Sequence, residues 1–188
     1  MIHTAASNQP IMERGPWIQL ISGGRFYPLS PQSSEVFIED IAHALGNLCR
    51  YNGHIDPFYS VAEHSFLMSV AAPPELQLWA LLHDAAESYV ADTTRPLKRC
   101  LPHLRAIEDC ILEVIAERFG LPWPCPPSIK RLDQAMLSTE ALHLFEHKGQ
   151  GWFLPVSPLD NVDFKLWSPL TAKQAFLIRF RQLTQERK

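Results

Sequence analysis

The chain has 188 residues, with 17 Lys and Arg against 20 Asp and Glu and a formal net charge of -3. A chain of this length buries about 70% of the surface its unfolded form exposes, so one domain folds without disulfides or a structural metal. The near balance of charge provides no general attraction to nucleic acid or to an anionic membrane, and any phosphate binding has to be local.

The N-terminal MIHTAASNQPIMERGPW lacks the charged, apolar, small progression of a secretory signal, and no apolar run reaches the length of a membrane span. Cys49, Cys100, Cys110 and Cys125 form no C-x-x-C pair and fit free thiols in a reducing compartment. Together these features predict a soluble cytoplasmic protein that uses no membrane.

Residues 1–34 are rich in Gly, Pro and Ser, densest in SGGRFYPLSPQSS, and predict an irregular arm or a short strand pair. From Glu35, EVFIEDIAHALGNLCRY places Ile38, Ile41, Ala42, Leu45, Leu48 and Cys49 at helical spacing with acids near its start, which predicts the first helix. YNGHIDPF then breaks the chain, and SVAEHSFLMSVAA resumes helical spacing through Val61, His64, Phe66, Leu67 and Val70. After the Pro73-Pro74 pair, ELQLWALLHDAAESYV reads as one helix with Leu78, Leu81, Leu82, Ala85 and Tyr89 on its apolar side.

ADTTRPLKRCLPH is turn-rich with room for one helical turn, and LRAIEDCILEVIAERFGL predicts an amphipathic helix closed by Gly120. LPWPCPPS is a Pro-rich linker in which Ser128 is a candidate N-cap for IKRLDQAMLSTEALHLFEH. KGQGWFLPVSPLDNVDF is a long excursion before the closing helix SPLTAKQAFLIRFRQLTQER. No repeat and no convincing strand alternation occurs, so the expected class is all-α, with about six or seven helices.

LLHDAAESYVAD sets ionisable His83, Asp84 and Glu87 among apolar helical positions, where burial is costly without partners. An adjacent imidazole and carboxylate are good ligands for a dication, which would offset that cost. In an all-helical fold the remaining ligands come from neighbouring helices, and His64 and Asp133 occupy the apolar sides of theirs. His64, His83, Asp84 and Asp133 make a set of N and O donors with room for water, as a catalytic metal requires. Singly, each also fits an ordinary role: an interior hydrogen-bonded histidine, or an aspartate that caps or pairs near Arg131.

Glu87, four residues after His83 and three after Asp84, shares their helical face, whereas Asp92 falls where the helix gives way to a turn. Arg50, Arg95, Lys98 and Arg99 are the local cations available to phosphate. Tyr51 is an aromatic able either to stack on a base or to fill core, and His54 has a turn role or a site role open to it.

The ordered set SVAEHS, LLHDAAESYVAD and KRLDQAML resembles the H…HD…D signature of the HD-domain phosphohydrolases. The likeness covers roughly residues 35–147 and is nearest to the small bacterial 5'-deoxyribonucleotidases and compact phage-type dATP triphosphohydrolases of that superfamily. It implies a compact helical bundle, an HD domain over residues 35–188 behind the 1–34 arm. The chain is too short for the large multi-lobed deoxynucleoside triphosphohydrolases, and it lacks the GYP motif of the cyclic-di-nucleotide phosphodiesterases.

By that resemblance His64, His83, Asp84 and Asp133 hold a divalent transition metal (Mn, Co, Fe, Ni or Zn). Glu87 is then the water activator and Asp92 an acid or substrate positioner. Arg50, Tyr51, Arg95 and Lys98 grip a small-molecule nucleotide substrate. The compared nucleotidases have Trp near the position of Tyr51, which is a departure. SGGRFYP is expected to fold over the pocket, as in the phage-type branch, and the chain is expected to form a homo-oligomer.

The expected activity is hydrolysis of a 5'-phosphate or triphosphate linkage of a deoxynucleotide. The alternative from another class is a non-catalytic, metal-stabilised nucleotide-binding or signalling module of the same fold. A nucleic-acid polymer is not an expected partner, because no helix carries a basic recognition face. G-x-S-x-G, H-E-x-x-H, G-x-G-x-x-G and P-loop patterns are all absent.

Overall fold

A computed structural model describes residues 14–185; the part of the expected arm at residues 1–13 lies outside them. The fold is all-α, as expected, with one small antiparallel pair, β1 (Ile18–Gln19) and β2 (Arg25–Phe26). The helices are α1 (Ile38–Asn47), α2 (Val61–Ala71), α3 (Gln77–Leu82), α4 (Glu87–Val90), α5 (Arg95–Lys98), α6 (Pro102–Phe119), α7 (Pro127–Leu144) and α8 (Pro169–Gln185). Among the described residues no helix is long and apolar enough to cross a membrane.

The central element is α2. Ser60 caps it by accepting from the Glu63 N–H, and all but three of its residues are buried. A helix covered on nearly every side is a core helix, and α2 packs on α1, α3, α7 and α8. Its two ionisable residues, Glu63 and His64, are therefore fully buried. Glu63 accepts from the backbone N–H groups of Lys165, Leu166 and Trp167 at 2.7–2.9 Å, which fastens the long excursion before α8 to the core.

The first helix is shorter than its apolar spacing suggests. Ser33–Glu35 is an isolated 3-10 turn, Phe37 is extended, and the chain leaves the helix at Leu48. There Cys49 pairs antiparallel with Ser60, and the Arg50 N–H donates to the Tyr59 carbonyl at 2.9 Å. The strand-like bridge outcompetes the last helical turn because it joins the two ends of the YNGHIDPF excursion. Within that excursion Tyr51 and Asn52 take left-handed φ of 54° and 52°.

The reading of residues 75–90 as one helix is corrected by the structure: α3 ends at Leu82 and α4 begins at Glu87. The His83 ring donates from Nδ1 to the Ala80 carbonyl at 2.8 Å, the acceptor that a continuing helix would offer to the Asp84 N–H. The next turns close instead with i to i+3 bonds, from the Ala85 N–H to Leu82 and from the Glu87 N–H to Asp84. Ser128 is not the cap of α7 either; it lies inside the first turn, after Pro126 and Pro127. Gly120 does close α6, at a left-handed φ of 64°, and all four cysteines are free thiols.

Candidate metal centre

Three elements deliver the cluster: α2 brings His64, the turn after α3 brings His83 and Asp84, and α7 brings Asp133. His64 Nε2 lies 3.3 Å from His83 Nε2 and 3.6 Å from Asp133 Oδ1. Asp84 Oδ2 lies 3.2 Å from His83 Nε2 and 3.5 Å from His64 Nε2. One donor atom each from His64, His83 and Asp133 falls within 4.8 Å of the others, close enough to hold a metal ion.

The other face of each imidazole fixes its tautomer. A carbonyl only accepts, so His83 Nδ1 carries the proton given to Ala80. His64 Nδ1 donates to Glu140 Oε1 at 2.6 Å, and Glu140, despite its burial, is held well below the usual carboxylate range by Arg50 and His64. With Nδ1 engaged in this way, each ring turns its Nε2 toward the same point, where Asp84 and Asp133 also aim. Lone pairs and carboxylates converging so closely repel unless a proton or a cation lies between them. The donor set fits a divalent metal.

Asp84 keeps its proton affinity low in spite of burial because His83, His64 and Arg50 surround it. His83 moves the other way: burial alone would lower its pKa, and Asp84 raises it above the ordinary value. Glu87, at the first turn of α4, is buried, with its carboxyl pushed well up by desolvation and by Asp84 and Asp92. Its Oε1 lies 3.4 Å from Lys98 Nζ, and its Oε2 is buried without a partner. Asp92 follows Ala91, a non-glycine residue at φ 69°, and its pKa is raised by burial and Asp84 against the pull of Arg50. Backbone held in a sparsely populated region is a feature of functional turns.

The four residues expected to grip substrate all reach this region, each already paired with an acid. Arg50 is buried, with Nη2 at 2.9 Å from Glu140 and Nη1 at 3.6 Å from Asp84. Tyr51 donates its hydroxyl to Glu140. Arg95 Nη2 meets Asp133 Oδ2 at 2.5 Å, so Asp133 presents one oxygen to the imidazoles and the other to a guanidinium. Lys98 bridges Glu87 and Glu108, the latter at 2.9 Å. His54 is exposed and its N–H closes the Tyr51 turn. The SGGRFYP segment is tied to α1 through Ser22 on Asp40 and to α4 through Phe26 stacked on Tyr89 at 3.7 Å.

Sequence reasoning missed Glu140, Tyr59 and Glu108. Glu140 is fully buried and gathers His64, Arg50, Tyr51 and the Tyr59 hydroxyl, the last at 2.9 Å. One signal for it was available: it stands seven residues after Asp133, two turns along the same face of α7.

Fold and centre together define an all-α protein with a His and Asp cluster able to hold a metal. No family model matches the chain. It is 38% identical over 179 residues to the uncharacterized protein YfdR of Escherichia coli (strain K12), an alignment spanning 92% of this chain and 98% of that one. The chain belongs to the YfdR family. It is also 38% identical over 129 residues to an uncharacterized protein of Rhodobacter capsulatus, spanning 63% of this chain and 66% of that relative.

Proposed function

We propose that the protein is a divalent-metal phosphohydrolase of the HD type acting on deoxynucleotides, removing a 5'-phosphate or a triphosphate group. The observation that carries this reading is the convergence of the Nε2 atoms of His64 and His83 with Asp84 and Asp133, beside the buried Glu87. A bound dication of the Mn, Fe, Co, Ni or Zn kind lowers the pKa of water and neutralises phosphate charge.

Around it, this chain's own groups divide the work. Glu87, with its unpartnered Oε2, is placed to take a proton from the attacking water. Asp92, at the turn after α4 and near Arg50 and Asp84, protonates the leaving oxygen or positions the substrate. Lys98 and Arg95 bring positive charge to the rim, and in accepting a phosphate they exchange their carboxylate partners for its oxygens. Arg50 keeps Asp84 and Glu140 ionised, so that the imidazoles and acids remain donors to the metal.

The test is an assay of the metal-loaded chain against deoxynucleoside mono-, di- and triphosphates, resolving orthophosphate from inorganic triphosphate. One of the two products is expected, and the rate of the Glu87→Ala variant should fall by about 10²–10⁴ with metal content unchanged. An unaltered rate would remove Glu87 from the mechanism, and no product from any nucleotide would sink the reading.

A further inference from the structure

The loop after α7 builds an aromatic surface that the chemistry above does not use. Phe145, His147 and Trp152 form a closed triangle, with centroids 5.0 Å apart for Phe145 and Trp152, 5.5 Å for Phe145 and His147, and 5.6 Å for His147 and Trp152. Tyr51 joins it from the other side of the chain, edge-on to Phe145 at 5.0 Å and tilted by 30° to Trp152 at 6.0 Å. Trp152 keeps 38% of its surface exposed.

Two features make this surface rigid and connect it to the metal centre. Gly149, at φ 73°, sits so close that a Cβ there would lie 2.9 Å from Ala141 Cβ and 3.0 Å from the Leu154 side chain. Its N–H donates to His147 Nδ1 at 3.2 Å, so the tight turn also orients that ring. On the facing side Tyr51 gives its hydroxyl to Glu140, whose other oxygen holds His64. One carboxylate therefore links a metal-facing imidazole to the aromatic surface.

We infer that Trp152, supported by Phe145, His147 and Tyr51, is a stacking platform for the planar base of a nucleotide whose phosphate is held at the metal cluster. The inference rests on the phosphohydrolase reading for its ligand class and goes beyond it in assigning the base-binding element. Tyr51, half-buried and tethered by its hydroxyl, is the support, and the exposed part of Trp152 takes the base. Aromatic stacking carries no hydrogen-bond code. The platform thus favours a base over none, and a purine over a pyrimidine through contact area.

The test measures binding to the metal-loaded full-length chain in a Glu87→Gln background, with 2'-deoxyadenosine 5'-monophosphate and base-free 2-deoxyribose 5-phosphate as probes. Trp152→Ala is expected to weaken the nucleotide about tenfold and leave the sugar phosphate unchanged, with Trp152→Phe recovering most of the loss. Circular dichroism of each variant separates lost contact from lost fold. Unchanged nucleotide affinity in Trp152→Ala, equal loss of both probes, or a parent chain without preference for the base would each overturn the platform. So would failure of the nucleotide to bind. A base preference that depends on Trp152, in a chain whose unmodified form releases no phosphate, would uphold the platform and dismiss the phosphohydrolase.

Discussion

Four side chains meet at Glu140: the Nδ1 proton of His64, the guanidinium of Arg50 and the hydroxyls of Tyr51 and Tyr59. Removing the carboxylate leaves the buried Arg50 with only Asp84, at 3.6 Å, and takes the acceptor from His64, Tyr51 and Tyr59, the costly half of a broken buried pair. Glu140→Ala should lower stability by about 3–5 kcal/mol in urea unfolding. Glu140→Gln keeps an acceptor oxygen and should lose less, yet weaken metal binding by about 10–100-fold because it no longer favours the His64 tautomer. Equilibrium dialysis with Mn²⁺ or Zn²⁺ checks the second effect, and unchanged affinity would make Glu140 structural only. His64, His83, Asp84 and Asp133 were legible in the sequence as ionisable groups out of place on apolar faces. Glu140 was not, because its burial depends on Arg50 and Tyr51, which come from 90 and 89 residues away.

Among the elements, helix identity followed from periodicity, and helix ends followed from competition for backbone groups. The turn at His83–Ala86 arises because the His83 imidazole takes a backbone carbonyl, which no hydrophobic pattern records. A similar local detail fixes the approach of α1 to α8 at Gly46. A Cβ there would stand 2.8 Å from the Pro169 carbonyl oxygen and 3.3 Å from Lys173. Helix propensity alone predicts that Gly46→Ala gains about 1 kcal/mol. Since the obstacle is backbone, overpacking should prevail and cost about 1–3 kcal/mol, read as a lower Tm. A raised Tm would mean that α8 yields freely, contrary to its tight seating on α1 and on α2 through Arg179 and Ser69.

For the whole molecule, the cluster couples stability to pH, and a metal bound there would couple to the same protons. In the metal-free protein the raised His83 pKa contributes stability that is fully present below the unfolded value near 6.5 and is lost as pH rises through the folded value. The depressed Glu140 acts in the opposite sense, with its contribution present above about pH 4.3 and lost as pH falls toward its folded value. A metal needs neutral imidazoles and so competes with the His83 proton. The rise in Tm on adding Mn²⁺ or Zn²⁺ should therefore grow as pH increases from about 6 to 8. A rise independent of pH would place the metal away from His83.

The sequence by itself determined the helical class, the order of the helices and the His and Asp candidates for the cluster, because burial of an amphipathic face and the cost of buried charge are local properties of the chain. Tertiary structure alone decided that Glu140 joins Arg50, Tyr51 and His64, that Asp133 is shared with Arg95, and that Trp152 comes to Tyr51. Those pairings lie 38 to 101 residues apart, and only the packing of α2, α7 and the loops between helices brings them within reach.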